Sequence, residues 1–178
     1  EIYLTFDDGP TPEITTFVLN ELKKHQAKAT FFCIGKNVKN HPSIYERIKK
    51  EGHSVGNHTY NHLNGFRTNN INYIENILQA EKLIESNLFR PPYGRLKSSQ
   101  ARSIIGKGYK IIMWDILSGD FDTTITPEKC LKNVLEKTTN GSIVVMHDSE
   151  KAKDKIFYTL PKILSYYQEK GYLFKAIS

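Results

Sequence analysis

The 178-residue sequence is sparing with the side chains that staple small folds or carry redox chemistry, having two cysteines, two methionines and one tryptophan. Cys33 lies inside an apolar run and Cys130 far along the chain, so the pair supports neither a disulfide framework nor a four-ligand metal site of its own. Long hydrophobic runs are missing too. The longest, residues 31–34, 111–114 and 143–146, have four members each, against the roughly 18 apolar residues of a transmembrane helix, so no membrane span is expected. Glycine and proline number 11 and 7, and there is no low-complexity tract, internal repeat or glycine-rich phosphate loop. That excludes a disordered or collagen-like chain. Basic side chains never run more than two in a row, and the densest group, Lys151, Lys153 and Lys155, encloses Asp154. Such scattered charge is no nucleic-acid footprint.

What is present suits one core. At 39% hydrophobic and 25% charged, the composition reads as a single soluble globular domain over residues 1–178. Lys plus Arg (25) outnumber Asp plus Glu (19), and the resulting charge of +6 fits either an ordinary basic surface or attraction to an acidic polymer. β-rich runs at 2–6, 29–34, 54–57, 88–90, 109–117, 142–147 and 172–177 alternate with helical patterns at 12–26, 42–51, 69–86, 97–107, 127–138 and 159–170. Pro12, Pro42, Pro127 and Pro161 stand at plausible first-turn positions. Strict βα alternation predicts an α/β fold with a parallel sheet, open or closed into a barrel; seven units are lean for an eightfold barrel, which takes about 250 residues.

Function in either architecture collects where strands end. Here those ends carry Asp7-Asp8, His58 with His62, Arg90-Pro91-Pro92-Tyr93, Asp115 followed by Asp120, and His147-Asp148. Histidines four apart are spaced to reach one cation from a single helical turn, a spacing shared by zinc sites and by surface pairs. No Glu lies between them, so a third ligand and a base must come from elsewhere. Neighbouring side chains diverge, so one of Asp7 and Asp8 can ligate while the other faces a reacting water; the alternative is that the pair caps the helix after Pro10. Arg90 offers a bidentate clamp on an active-site carboxylate or an ordinary ion pair. The two prolines leave Tyr93 with the next free backbone N–H, a candidate oxyanion donor or part of a rigid turn. His147, after an apolar strand and near carboxylates, reads as a tuned general acid rather than a core histidine.

Taken together, Thr5-Phe6-Asp7-Asp8-Gly9-Pro10, His58-Thr59-x-x-His62, Arg90-Pro91-Pro92-Tyr93-Gly94, Trp114 with Asp120, and Val145-Met146-His147-Asp148 resemble the motifs of carbohydrate esterase family 4, the NodB-homology polysaccharide deacetylases. Ala29-Thr30-Phe31-Phe32 with Gly35, and the stretch 52–57, extend the likeness along the whole chain. The resemblance implies a distorted (β/α)7 barrel and a divalent metal, usually zinc with cobalt, nickel or manganese as alternatives, bound by Asp8, His58 and His62. It also implies Asp7 as general base held by Arg90, Tyr93 N–H as oxyanion donor, and His147 as general acid oriented by Asp120, with Asp115 in reserve. Phe121 and Val145 stand where the family commonly has Trp and Leu, which touches the acetyl pocket rather than the metal or acid–base set.

The activity implied is metal-dependent removal of N-acetyl groups from an N-acetylglucosamine glycan, peptidoglycan or chitin-like. The rivals are an O-acetyl esterase on a polysaccharide such as acetylxylan and a non-catalytic carbohydrate-binding relic. A monomer acting on an acetylated glycan, secreted, periplasmic or at the cell surface, is expected, with any export segment lying before Glu1.

Overall fold

Strands rich in aliphatic and aromatic residues, each leading into a helix, are covered on both faces and form parallel sheets. In the computed structural model, which describes residues 1–178, the strands are β1 Tyr3–Asp7, β2 Ala29–Cys33, β3 Ser54–Asn57, β4 Leu88–Phe89, β5 Lys110–Ile111, β6 Ile116–Leu117 and β7 Ile143–His147. All pairings are parallel, in the order β5-β4-β3-β2-β1-β7-β6. The helices are α1 Pro12–Lys24, α2 Gly35–Asn40, α3 Pro42–Lys50, α4 Asn70–Glu81, α5 Ser98–Gly106, α6 Pro127–Leu135 and α7 Lys153–Glu169. Leu4 and Phe6 of β1, Phe31 of β2 and Met146 of β7 meet Ile14, Val18, Leu22 and Leu160 of the helices in a cluster of 27 buried apolar residues. Each such side chain stabilises the fold by about 1.5–3 kcal/mol relative to exposure. Pairing sets Asp7 level with Phe32 on one side and His147 on the other, and Asn57 level with Cys33, so four strand ends share one rim.

The result is a distorted (β/α)7 barrel left open between β5 and β6, and its seven strands are not quite those expected. The run 109–117 splits into β5 and β6, which lie at opposite edges of the sheet. The reason is a side chain: Arg90 takes the carbonyls of Ile112 and Met113 (3.1 and 3.0 Å), so although Ile112 N–H still donates to Phe89, these carbonyls bond to a guanidinium instead of a neighbouring strand. The run 172–177 forms only an isolated bridge between Phe174 and Ile2. Pro12, Pro42 and Pro127 do open helices. Pro161 does not: α7 starts at Lys153, directly after the turn Glu150–Ala152, and carries Pro161 in its interior. The six-residue α2 was not expected from periodicity and is too short to show one.

Candidate active site

The rim is built from local backbone choices. At the end of β1, Asp7 stays in the ladder and is buried, whereas Asp8 turns into the left-handed region at φ 86°, sending the two carboxylates in different directions. A non-glycine residue there costs on the order of 1 kcal/mol or more, and neighbours hold it: Asn37 Nδ2 donates to the Asp8 carbonyl at 2.7 Å. Gly9 N–H donates to Asp148 Oδ1 (2.9 Å), and Thr15 donates to Asp148 Oδ2 (2.6 Å), so the loops after β1 and β7 are clamped together. Only glycine fits, because a Cβ on Gly9 would lie 2.0 Å from Asp148 Oδ2. Burial pushes the Asp148 carboxyl up to about 7 despite these bonds.

The two histidines meet, though not on a helical turn. Residues 58–62 follow β3 as a bend with Thr59 at φ 64° and His62 at φ 56°. Asn57 Oδ1 accepts from Thr59 N–H, and Asn76 Oδ1 accepts from both Tyr60 and Asn61 N–H, each at 2.9 Å. His58 Nδ1 lies 2.7 Å from the Arg90 carbonyl; since a carbonyl only accepts, Nδ1 carries the proton and Nε2 is the free lone pair. Burial lowers the His58 pKa to about 4, keeping the ring neutral and able to ligate. Nε2 of His58 and of His62 lie 3.6 and 3.1 Å from Asp8 Oδ1. The ligand atoms of Asp8, His58 and His62 all fall within 4.8 Å of one another, and buried Asp8 Oδ1 has no hydrogen-bond partner. A buried, unpartnered carboxylate oxygen facing two imidazoles fits a divalent cation, and the three donors are those of a site that keeps open positions.

Beside this cluster, Arg90 is fully buried. Its Nη1 donates to Asp7 Oδ1 (2.8 Å) and Thr5 Oγ1 (2.6 Å), while Nε and Nη2 serve the 112–113 carbonyls. Phe32 lies under the guanidinium at 4.1 Å. Of the two arrangements open to Arg90, its hold on Asp7 is a buried single-bond ion pair rather than a bidentate clamp, because the other donors go to Thr5 and to the backbone that bridges β5 and β6. His147 Nδ1 is 2.7 Å from Asp120 Oδ1, and His147 N–H donates to Asp120 Oδ2 at 2.6 Å. Burial opposes charge on this ring, but the fully buried Asp120 carboxylate overcomes it and raises the His147 pKa to about 9. Asp115 takes no part: its carboxylate accepts from Ile143 N–H at the sheet edge. Tyr93, at φ 60°, lies in the turn Pro92–Gly94 with its ring 4.6 Å from that of His62.

These groups line one cavity of about 670 Å³ with Trp114, Leu117, Phe121 and Val145 as its apolar wall. The structure thus brings together Asp7, Asp8, His58, His62, Tyr93 and His147, with Arg90 and Asp120 directly behind Asp7 and His147. Sequence reasoning overlooked the supports Asn37, Asn76 and Thr15; the one visible signal was a polar residue on a helix face that is otherwise buried, as at Asn76. No helix is long and apolar enough to cross a membrane.

With that geometry in hand, comparison with known proteins is informative. The family model for polysaccharide deacetylases matches residues 1–112. A Bacillus cereus peptidoglycan-N-acetylglucosamine deacetylase is 35% identical over 155 residues, covering 84% of this chain and 56% of that protein. A second protein of that description from Bacillus cereus is 33% identical over 183 residues, covering 99% of this chain and 86% of that protein. The chain thus spans little more than half of the first relative's length. Among solved structures, the Bc1960 peptidoglycan N-acetylglucosamine deacetylase superposes with a TM-score of 0.94 at 32% identity, covering 99% of this chain and 86% of that one.

Proposed function

The chain belongs to the polysaccharide deacetylase family, the carbohydrate esterases of family 4, and from that premise we propose that it hydrolyses N-acetyl groups of an N-acetylglucosamine glycan, with peptidoglycan the favoured polymer. The observation that carries the reading is the placement of a carboxylate and an imidazole, each with a partner of opposite charge, at adjoining strand ends around one cation site: Asp7 paired with Arg90, and His147 paired with Asp120. The relatives named above support peptidoglycan as the polymer.

A divalent cation on Asp8, His58 and His62 would supply a Lewis acid that makes water a nucleophile at neutral pH and polarises a carbonyl. We take it to be zinc, which suits two imidazoles and a carboxylate. Asp7 takes a proton from the attacking water, and Arg90 holds its carboxylate in place. As the C–O bond forms, the amide oxygen becomes an oxyanion, toward which Tyr93 N–H donates; one such donor contributes about 3 kcal/mol. His147, cationic through its pairing with Asp120, then gives its proton to the amide nitrogen as the C–N bond breaks, leaving acetate and a free amine. An amide nitrogen must be protonated before it can leave, whereas an ester alkoxide departs with less help, so an acid held by Asp120 at this place favours N- over O-deacetylation. A cell-envelope substrate also means action outside the cytoplasmic membrane.

The test is acetate release from acetylated chitooligomers, peptidoglycan and acetylxylan, with and without a chelator. Chelator-sensitive release from the first two is expected; release from acetylxylan alone, or none from any, overturns the proposal.

A further inference from the structure

The loop after His62, whose shape the sequence did not reveal, forms a second arm of the groove. Asn64 caps the turn Gly65–Arg67, its side chain accepting from Phe66 and Arg67 N–H. The turn then seats against the chain at Arg95. Gly65 makes the approach possible, since a Cβ there would lie 2.4 Å from the Arg95 carbonyl oxygen. Gln100 ties the two together, Nε2 donating to the carbonyls of Gly65 (3.0 Å) and Thr68 (3.3 Å) while Oε1 accepts from Lys97 N–H (3.0 Å). Lys97 Nζ adds a 2.8 Å bond to the Thr68 carbonyl. Arg67 and Arg95 are therefore both carried on a cross-braced backbone, and both line one cavity.

The cavity they line, about 610 Å³, shares His62, Tyr93 and Phe121 with the cavity at the cation site, so it receives the part of a polymer next to the reacting acetamide. Its wall carries two guanidinium groups and no Asp or Glu. The arginines that form ion pairs in this chain are Arg47 and Arg90; Arg67 and Arg95 form none. Arg95 lies 5.7 Å from the Phe66 ring centroid, a contact that orients the guanidinium without neutralising it. Elsewhere on the groove rim, Lys151 stands next to Glu150, so excess positive charge is confined to this arm.

We propose that Arg67 and Arg95 form a carboxylate-recognition subsite, which makes the enzyme selective for a glycan whose sugar adjacent to the reacting N-acetylhexosamine bears an acid, over the neutral homopolymer. The inference rests on the deacetylase reading above and adds the substrate's charge to it. The carboxylate comes either from an acid ether-linked to that sugar or from a peptide attached through it. Fork-shaped donors suit either, and the shared chemistry is an anion in a cavity lined by two guanidinium groups.

The test compares wild type, R67Q/R95Q and R67K/R95K on three N-acetylated oligomers of equal length: a neutral homopolymer, a polymer with free ether-linked acids, and one bearing peptide stems. The readouts are kcat/KM for acetate release and binding by calorimetry at two salt concentrations. The anionic-to-neutral ratio of kcat/KM is expected to fall roughly tenfold or more in R67Q/R95Q at low salt, mostly through KM, with Lys restoring much of it and salt eroding the wild-type preference. Whichever anionic oligomer shows this ratio change identifies the source of the carboxylate. Equal losses on neutral and anionic oligomers, or no preference in wild type, overturn the subsite. Wild type that binds the anionic oligomers in an arginine-dependent manner yet releases no acetate leaves the subsite standing and brings down the deacetylase reading instead.

Discussion

Replacing Asp120 by Asn isolates the charge on His147 with little change of shape, since Asn keeps an oxygen to accept one of the two bonds that Asp120 takes from this residue. Asp120 contributes most, ahead of Asp7 and Asp8, to the rise of the His147 pKa from 6.5 to about 9 against a burial that acts the other way, a preference for imidazolium of about 3 kcal/mol. Without the Asp120 charge only Asp7 and Asp8 still oppose burial, and the pKa falls toward its ordinary 6.5. At pH 8 the cationic fraction then drops from about 0.9 to about 0.03, so kcat/KM on an amide substrate should fall roughly thirtyfold, whereas at pH 5.5 it should change little. A cation beside the ring lowers both pKa values and slides this window toward acid without closing it. The sign extends to stability: a raised pKa contributes fully below about 6.5 and is lost as pH climbs through about 9, so the variant should differ from wild type in denaturation midpoint at pH 6 and converge with it above pH 10. The assay is the pH profile of acetate release from an N-acetylated oligomer and from an activated acetate ester. An alkaline limb that stays put in Asp120→Asn, or equal losses on amide and ester, would refute the assignment of His147 as a charged acid.

Asp7→Asn should lower kcat by roughly 10²–10⁴-fold with the metal content unchanged by elemental analysis; near-normal turnover removes Asp7 from the role of base. His62→Ala leaves two of the three donors and should emerge from dialysis without stoichiometric metal, regaining some activity in excess zinc. Metal retained at wild-type stoichiometry contradicts the ligand set. Gly9→Ala drives a Cβ to within 2.0 Å of Asp148 Oδ2 and breaks the bonds from Gly9 and Thr15. Two buried bonds at about 1–3 kcal/mol each should lower Tm by roughly 5–15 °C, and calorimetry showing a shift below 2 °C would mean that the clamp is looser than the geometry requires.

Much of this site could be read in advance because its residues sit directly after strands. A strand is recognised by its own composition, and in a parallel sheet every C-terminal end faces the same rim, so Asp7, His58, Arg90 and His147 converge whatever the details between them. What stayed hidden depended on contacts distant in sequence. The run 109–117 looks like one strand because nothing local reveals that Arg90, about twenty residues earlier, takes the carbonyls of Ile112 and Met113. Spacing of four brings histidines together on a helix, but here the same meeting comes from left-handed residues at 59 and 62, held by Asn57 and by Asn76 from α4. The choice of Asp120 over Asp115 likewise follows from pairing. In the parallel register of β6 on β7, Asp115 lies beside Ile143 at the sheet edge, while the chain leaving β6 carries Asp120 up to the rim beside His147. A residue's place at this rim is thus set by how far past its strand it lies, and Asp115, which precedes β6, could not have reached His147 whatever its charge.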